Sequence, residues 1–187
     1  MRWVQLFILV YLVLVVQTTL CHIIAFDIRV VGRVAPDVMA MVAVFVALRG
    51  PNQRTVMIAA WAMGFAVDLA AIGGVGSATA VGPMSLAYAV AAWLIFRTRE
   101  AVFSNHAITQ GMLALVFCLA AHSMWVTAQM VLRGGWQYYG QLMMQVVGVS
   151  IYTALLMPAG FWLLSTTQGL FIEAPVRGTR RSRRTGR

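Results

Sequence analysis

The chain has 187 residues, of which 61% are hydrophobic and 10% charged, and it carries a formal charge of +9. A soluble domain is nearer half apolar and a quarter charged, so the composition excludes an ordinary water-soluble globule. It predicts one all-α membrane domain with room for about five or six spans of about 20 residues. The charge does not point to nucleic acid. All 14 basic residues are Arg, and Arg177, Arg180, Arg181, Arg183, Arg184 and Arg187 crowd the C-terminus, where a basic cluster after an apolar span meets anionic lipid headgroups.

The first apolar run extends from Trp3 to Ile24. Met1-Arg2 gives it the charged start of a signal peptide, but no A-x-A-like cleavage site follows, and the large Leu20 before Cys21 disfavours a lipoprotein site. It therefore reads as an uncleaved first span. From His22 to Arg33 polar and apolar residues partly alternate, which predicts a short external segment, strand-like or lying along the interface. Pro36 in a first helical turn opens the second span, 36–48, with Asp37 at the positive end of the helix dipole. That span is short for a bilayer. Arg49-Gly50-Pro51-Asn52-Gln53-Arg54 is a turn.

The third span covers 55–72 and ends in an uncharged connection, Gly73-Gly74-Val75-Gly76-Ser77. The fourth begins at Ser77 or at Pro83, runs to Phe96 and is closed by Arg97-Thr98-Arg99-Glu100. The fifth spans 107–132. The aromatic turn Trp136 to Tyr139 suits a membrane–water boundary. The sixth spans 140–164, with Pro158 expected to kink it. Residues 1–172 thus form the membrane domain, and 173–187 a disordered Arg-rich tail.

The arginines orient this layout. With the N-terminus inside, Arg2, Arg49, Arg54, Arg97, Arg99 and the tail lie on the inner side, and only Arg29, Arg33 and Arg133 lie outside. Both termini are then cytoplasmic. Cys21 and Cys118 differ in depth by about 9 Å on this layout, which leaves them free thiols.

Residues for chemistry are sparse. The acids are Asp27, Asp37, Asp68, Glu100 and Glu173, and the histidines His22, His106 and His122 fall in different segments. No paired catalytic groups, no metal-ligand spacing and no phosphate loop are present, so no enzyme activity, metal or cofactor is expected. Met residues on spans two, three and six read as adaptable filler, and Gln129, Gln141, Gln145, Ser150 and Thr153 as interhelical hydrogen-bonding groups. Asp68 lies within an apolar run, where a carboxylate must face protein or water. Ala60, Gly64 and Asp68 recur every four residues and share one helix face, which predicts close helix packing. The carboxylate is expected to accept from amides of the Gly73–Ser77 connection or to pair with an Arg. A role in contacting a ligand, a proton or a partner is the other reading.

The order of these features resembles a known family. Pro36-Asp37 opens a span ending in Ala47-Leu48-Arg49-Gly50-Pro51; Gly64-Phe65-Ala66-Val67-Asp68-Leu69 follows, then Gly76, then a span closed by Arg97-Thr98-Arg99. This is similar to the rod-shape-determining MreD family of the bacterial cell-elongation machinery, over about residues 5–168. The Arg-rich tail matches no motif of that family. The resemblance implies a non-enzymatic, six-span protein of the bacterial inner membrane, similar in architecture to the substrate-binding subunits of energy-coupling-factor transporters. It implies an MreC-like bitopic partner and support of a wall-synthesis glycosyltransferase, a transpeptidase and an MreB-type filament. Pro36, Asp37, Gly64, Asp68 and Gly76 would serve architecture or partner docking. Arg49, Arg54, Arg97, Arg99 and the tail would meet lipid headgroups or cytoplasmic partners. The rival from another class is a small-molecule, vitamin-like binding subunit of a transporter, which needs an outward polar cavity near Asp37 and Asp68.

Overall fold

The computed structural model describes residues 3–28, 32–71, 81–99, 106–134 and 136–171. Among these lie α1 (Trp3–Ile24), β1 (Phe26–Ile28), β2 (Gly32–Val34), α2 (Val38–Arg49), α3 (Gln53–Ala71), α4 (Pro83–Thr98), α5 (Ala107–Arg133), a 3-10 turn (Trp136–Tyr138) and α6 (Tyr139–Phe171). Apart from one hairpin the architecture is all-α.

Helix length separates two kinds of element. α5 has 27 residues and α6 has 33, which at 1.5 Å per residue is about 40 and 50 Å. Both belong to stretches long and apolar enough to cross a membrane, Ala107–Leu132 and, with the preceding 3-10 turn, Trp136–Thr167. By contrast α2 has 12 residues, about 18 Å. It is buried on every side from Met39 to Leu48 and touches α1, α3, α4, α5 and α6. A helix apolar all round belongs in a core, and α2 is the axle of this one. Phe45 meets Phe161 of α6 edge-on, with ring centroids 5.1 Å apart, and Met41 packs under Gly160.

Two of the helix boundaries differ notably from those expected, at α2 and α6, and at α4 one of two expected starts is found. Pro36 does not occupy a first helical turn. The helix starts at Val38, and Asp37 is its N-cap in extended conformation, its carboxylate accepting from Ala40 N–H. A capping side chain reaches the third helical amide only from outside the helix, which displaces Pro36 by one more residue. α4 starts at Pro83, the later of the two starts considered. Gly82 before it has φ +124°, a backbone that favours glycine, and Pro83 fits the first turn because its missing N–H has no helical partner there. α6 runs past 164 to Phe171, continuing through Pro158. Pro158 offers no N–H to the Ala154 carbonyl, and Gly111 of α5 sits against that oxygen so closely that a Cβ would lie 3.0 Å from it.

The strand-like segment is an antiparallel hairpin pairing Phe26 with Val34, Asp27 with Arg33 and Ile28 with Gly32. A lone hairpin is marginal in stability, and this one is held on α6. Gln145 Nε2 donates to the Arg33 carbonyl at 2.8 Å, Tyr152 Oη donates to the Ile24 carbonyl at 3.3 Å, and the rings of Phe26 and Tyr152 lie 5.7 Å apart.

Candidate functional site

Among the described residues two carboxylates are buried in this apolar bundle, and each is surrounded differently. Asp68, near the end of α3, is 1% exposed. Its Oδ2 accepts from the backbone N–H groups of Gly82, Met84 and Ser85 at 2.8, 3.1 and 3.3 Å. These amides belong to the start of α4, where a helix leaves donors unpaired and presents positive potential. Asp68 is thus a cap supplied by a neighbouring helix. Gly64, one turn earlier, makes this possible. A Cβ on Gly64 would lie 2.5 Å from the Met84 carbonyl oxygen and 2.6 Å from Ser85 Cα. The expected face of Ala60, Gly64 and Asp68 is therefore the α3–α4 seam. The described partners of the carboxylate come from Gly82 onward; the Gly73–Ser77 connection expected to supply amides, with Gly76, lies outside the described residues.

Asp37 caps its own helix with Oδ1. Its Oδ2 accepts from Tyr88 Oη at 2.7 Å and lies 3.3 Å from His122 Nε2, while its backbone N–H donates to Thr153 Oγ1 at 2.9 Å. Four helices therefore converge on one residue: α2, α4 through Tyr88, α5 through His122 and α6 through Thr153. Each partner is fixed in turn. Tyr88 meets Phe117 edge-on at 5.1 Å, and His122 Nδ1 lies 3.0 Å from the Cys118 carbonyl. A carbonyl oxygen only accepts, so Nδ1 carries a proton. The contact between Nε2 and the Asp37 carboxyl needs a second one, held by the ring or by the acid. The pair lies next to a cavity of about 310 Å3 lined in part by Gln17, Arg33, Pro36, Asp37, His122 and Gln145.

Spacing along the sequence does not reveal His122, Tyr88 or Thr153 as a set. Each lies on a different, mostly apolar helix, and only folding brings them to Asp37. The signal available beforehand is their rarity at that depth. Gln129 has both ends of its buried amide without a partner among the described residues, as have Gln5 Oε1 and Asp68 Oδ1. No group of three or more metal-ligating side chains occurs among the described residues. Cys118 is a buried free thiol, and the side chain of Cys21 lies outside the described ones.

The arginines expected on the inner side gather at one end of the bundle. Arg99 Nη1 donates to the Gly50 carbonyl at 2.7 Å and stacks on Phe96, so the α4 end and the α2–α3 turn are adjacent. Arg49 lies over the Phe161 ring, and Arg54 and Arg97 are exposed. The six tail arginines lie outside the described residues.

Fold and site together define a helical bundle whose apolar core encloses a few buried polar groups, with two helices long and apolar enough to cross a membrane. No family model, curated protein or solved structure matches the chain.

Proposed function

We propose that this protein is a non-enzymatic membrane scaffold of the MreD kind, placed in the bacterial inner membrane as a six-helix bundle with both termini in the cytoplasm. It binds an MreC-like bitopic partner and, with it, supports lateral wall synthesis by a glycosyltransferase and transpeptidase alongside an MreB-type filament. The observation that carries the membrane reading is the inside-out distribution of polarity. Phe7, Ile8, Tyr11 and Leu12 of α1 and Leu155, Trp162 and Leu163 of α6 are exposed, whereas Asp37 and Asp68 are buried. Lipid accepts the first group and penalises the second. The family reading rests on the order of Pro36-Asp37, Gly64, Asp68 and Arg97-Thr98-Arg99 in the sequence. It is supported by the structural work three of those residues do, capping α2, closing the α3–α4 seam and capping α4.

The test is affinity purification of the tagged full chain in mild detergent from cells carrying an MreC-like protein. Co-elution of the two in fixed ratio is expected. Recovery of the bundle without that partner, under conditions that preserve other membrane complexes, overturns the scaffold reading. Labelling of a cysteine placed in the tail from the outer side overturns the topology.

A further inference from the structure

We infer that the cavity beside the Asp37–His122 pair binds a small neutral amide: a flat apolar molecule that carries a carbonyl acceptor and an N–H donor on one edge. The inference goes beyond the scaffold reading, stands on the cavity's wall, and holds whether or not the chain supports wall synthesis.

Every helix contributes to that wall: Gln17 from α1, Asp37 ahead of α2, Val67 from α3, Met84 from α4, His122 from α5 and Gln145 from α6. Several of its polar atoms are already engaged. Asp37 Oδ1 accepts from Ala40 N–H, and Oδ2 from Tyr88 with His122 beside it. His122 Nδ1 faces the Cys118 carbonyl. Arg33 is placed at the wall through its backbone carbonyl, which accepts from Gln145 Nε2. Two side-chain atoms keep capacity, and they are of opposite kinds. Gln17 Oε1 accepts from Met39 N–H at 2.9 Å, so its Nε2 is left to donate. Gln145 Nε2 donates to the Arg33 carbonyl at 2.8 Å, so its Oε1 is left to accept. Neither amide can be turned over, because a backbone N–H only donates and a backbone carbonyl only accepts. Both side chains are uncharged. They suit a neutral group that accepts from one and donates to the other, and a carboxamide or lactam does both across one planar edge.

Between the two glutamines the wall is apolar, formed by Pro36, Val67, Met84 and Val149. Apolar walls with a few convergent polar atoms are the usual make-up of a small-molecule site. A volume of about 310 Å3 equals about ten water-sized portions of liquid, which sets the ligand at about ten non-hydrogen atoms. A second cavity of about 260 Å3 shares His122, Gln145 and Val149 and extends the first between α5 and α6 toward Trp125. Because Gln145 borders both cavities, a substituent on the ligand nitrogen has room there.

The probe is benzamide, a flat ring of matching size with one carboxamide. The full chain is placed in phosphatidylcholine nanodiscs, with empty nanodiscs as the baseline for partitioning into lipid. Binding is followed by ligand-observed nuclear magnetic resonance and by thermal unfolding. Saturable binding near about 1 mM is expected, with a rise in melting temperature of about 2–4 °C at about 10 mM probe. Acetophenone has the same shape and keeps the carbonyl but lacks the N–H, and it should bind about fivefold more weakly. Benzoate, which brings a charge to two neutral partners, should give no saturable binding. Gln145→Met removes the free acceptor and should abolish the difference between benzamide and acetophenone. Gln17→Glu keeps an acceptor for Met39 N–H but replaces the free donor with a second acceptor, and it should weaken both probes at least about tenfold. Met112→Ala, in the separate apolar groove between α5 and α6, should leave binding unchanged. Absence of saturable benzamide binding at about 10 mM, benzoate binding as tightly as benzamide, or acetophenone equalling benzamide on the wild type would each overturn the site. These three comparisons need no variant to fold.

Discussion

Asp68 and Asp37 are the same side chain in the same kind of place, buried beside a helix start, yet they do different work. Asp68 closes on backbone. Its three donors are amides, which cannot titrate and cannot turn away without unwinding α4. Asp37 closes on side chains from three other helices, one an imidazole and one a phenol, and it borders a cavity. The first arrangement is a rivet. The second can be rearranged by moving a ring, a proton or a ligand, and it is where a response can be located. A carboxylate's burial alone therefore says little about its role; the chemistry of its donors decides.

This contrast can be broken at several points, most severely at the seam. Gly64→Val drives a side chain into the α4 backbone, and a backbone cannot yield as a flexible side chain does. A loss of more than about 3 kcal/mol is expected in equilibrium unfolding in mixed micelles followed by helical circular dichroism. A loss below about 1 kcal/mol would mean that the helices are not in contact there. Asp68→Ala strands three buried amides and should cost about 3 kcal/mol. Asp68→Asn keeps an acceptor oxygen and should cost about half as much in the same assay.

At Asp37 the effects are smaller and coupled. His122→Phe should cost about 2 kcal/mol and Tyr88→Phe about 1.5 kcal/mol, since each removes one hydrogen bond to a charged group while others remain. The smallest expected effect is the most discriminating. In a double-mutant cycle, His122→Phe and Tyr88→Phe should depart from additivity by at least about 0.5 kcal/mol, because they share one oxygen. His122→Phe combined with Asp68→Asn should be additive. Coupling between the two acids of similar size would show that they form a single network.

Much of the helical frame was legible beforehand, because apolar runs separated by Arg-, Gly- and Pro-containing turns mark helices directly. The α3–α4 seam was legible too, since Ala60, Gly64 and Asp68 obey the helical repeat within one segment. The Asp37 cluster was not. It assembles residues 37, 88, 122 and 153, and no local period relates them. The centrality of α2 was hidden for a related reason. Its shortness was visible, but an all-apolar stretch reads alike whether it faces lipid or protein. Pro36 misled because proline suits both a first helical turn and the position just before a capping residue. The amides of Gly82, Met84 and Ser85 were not singled out as partners of Asp68, because they lie 14 to 17 residues away and no local period relates them.

The brevity of α2 bears on how such a protein is made. In the bilayer that the proposed function assigns to this bundle, about 18 Å of helix reaches little more than halfway across the hydrocarbon. Its position is therefore dictated by walls that the ribosome has not yet delivered when it emerges. On the proposed membrane reading, biogenesis must keep this segment waiting, either at the insertion machinery or against α1, until α4, α5 and α6 arrive to enclose it. Chains truncated before α5 should accordingly be cleared by membrane proteases rather than accumulate as smaller bundles.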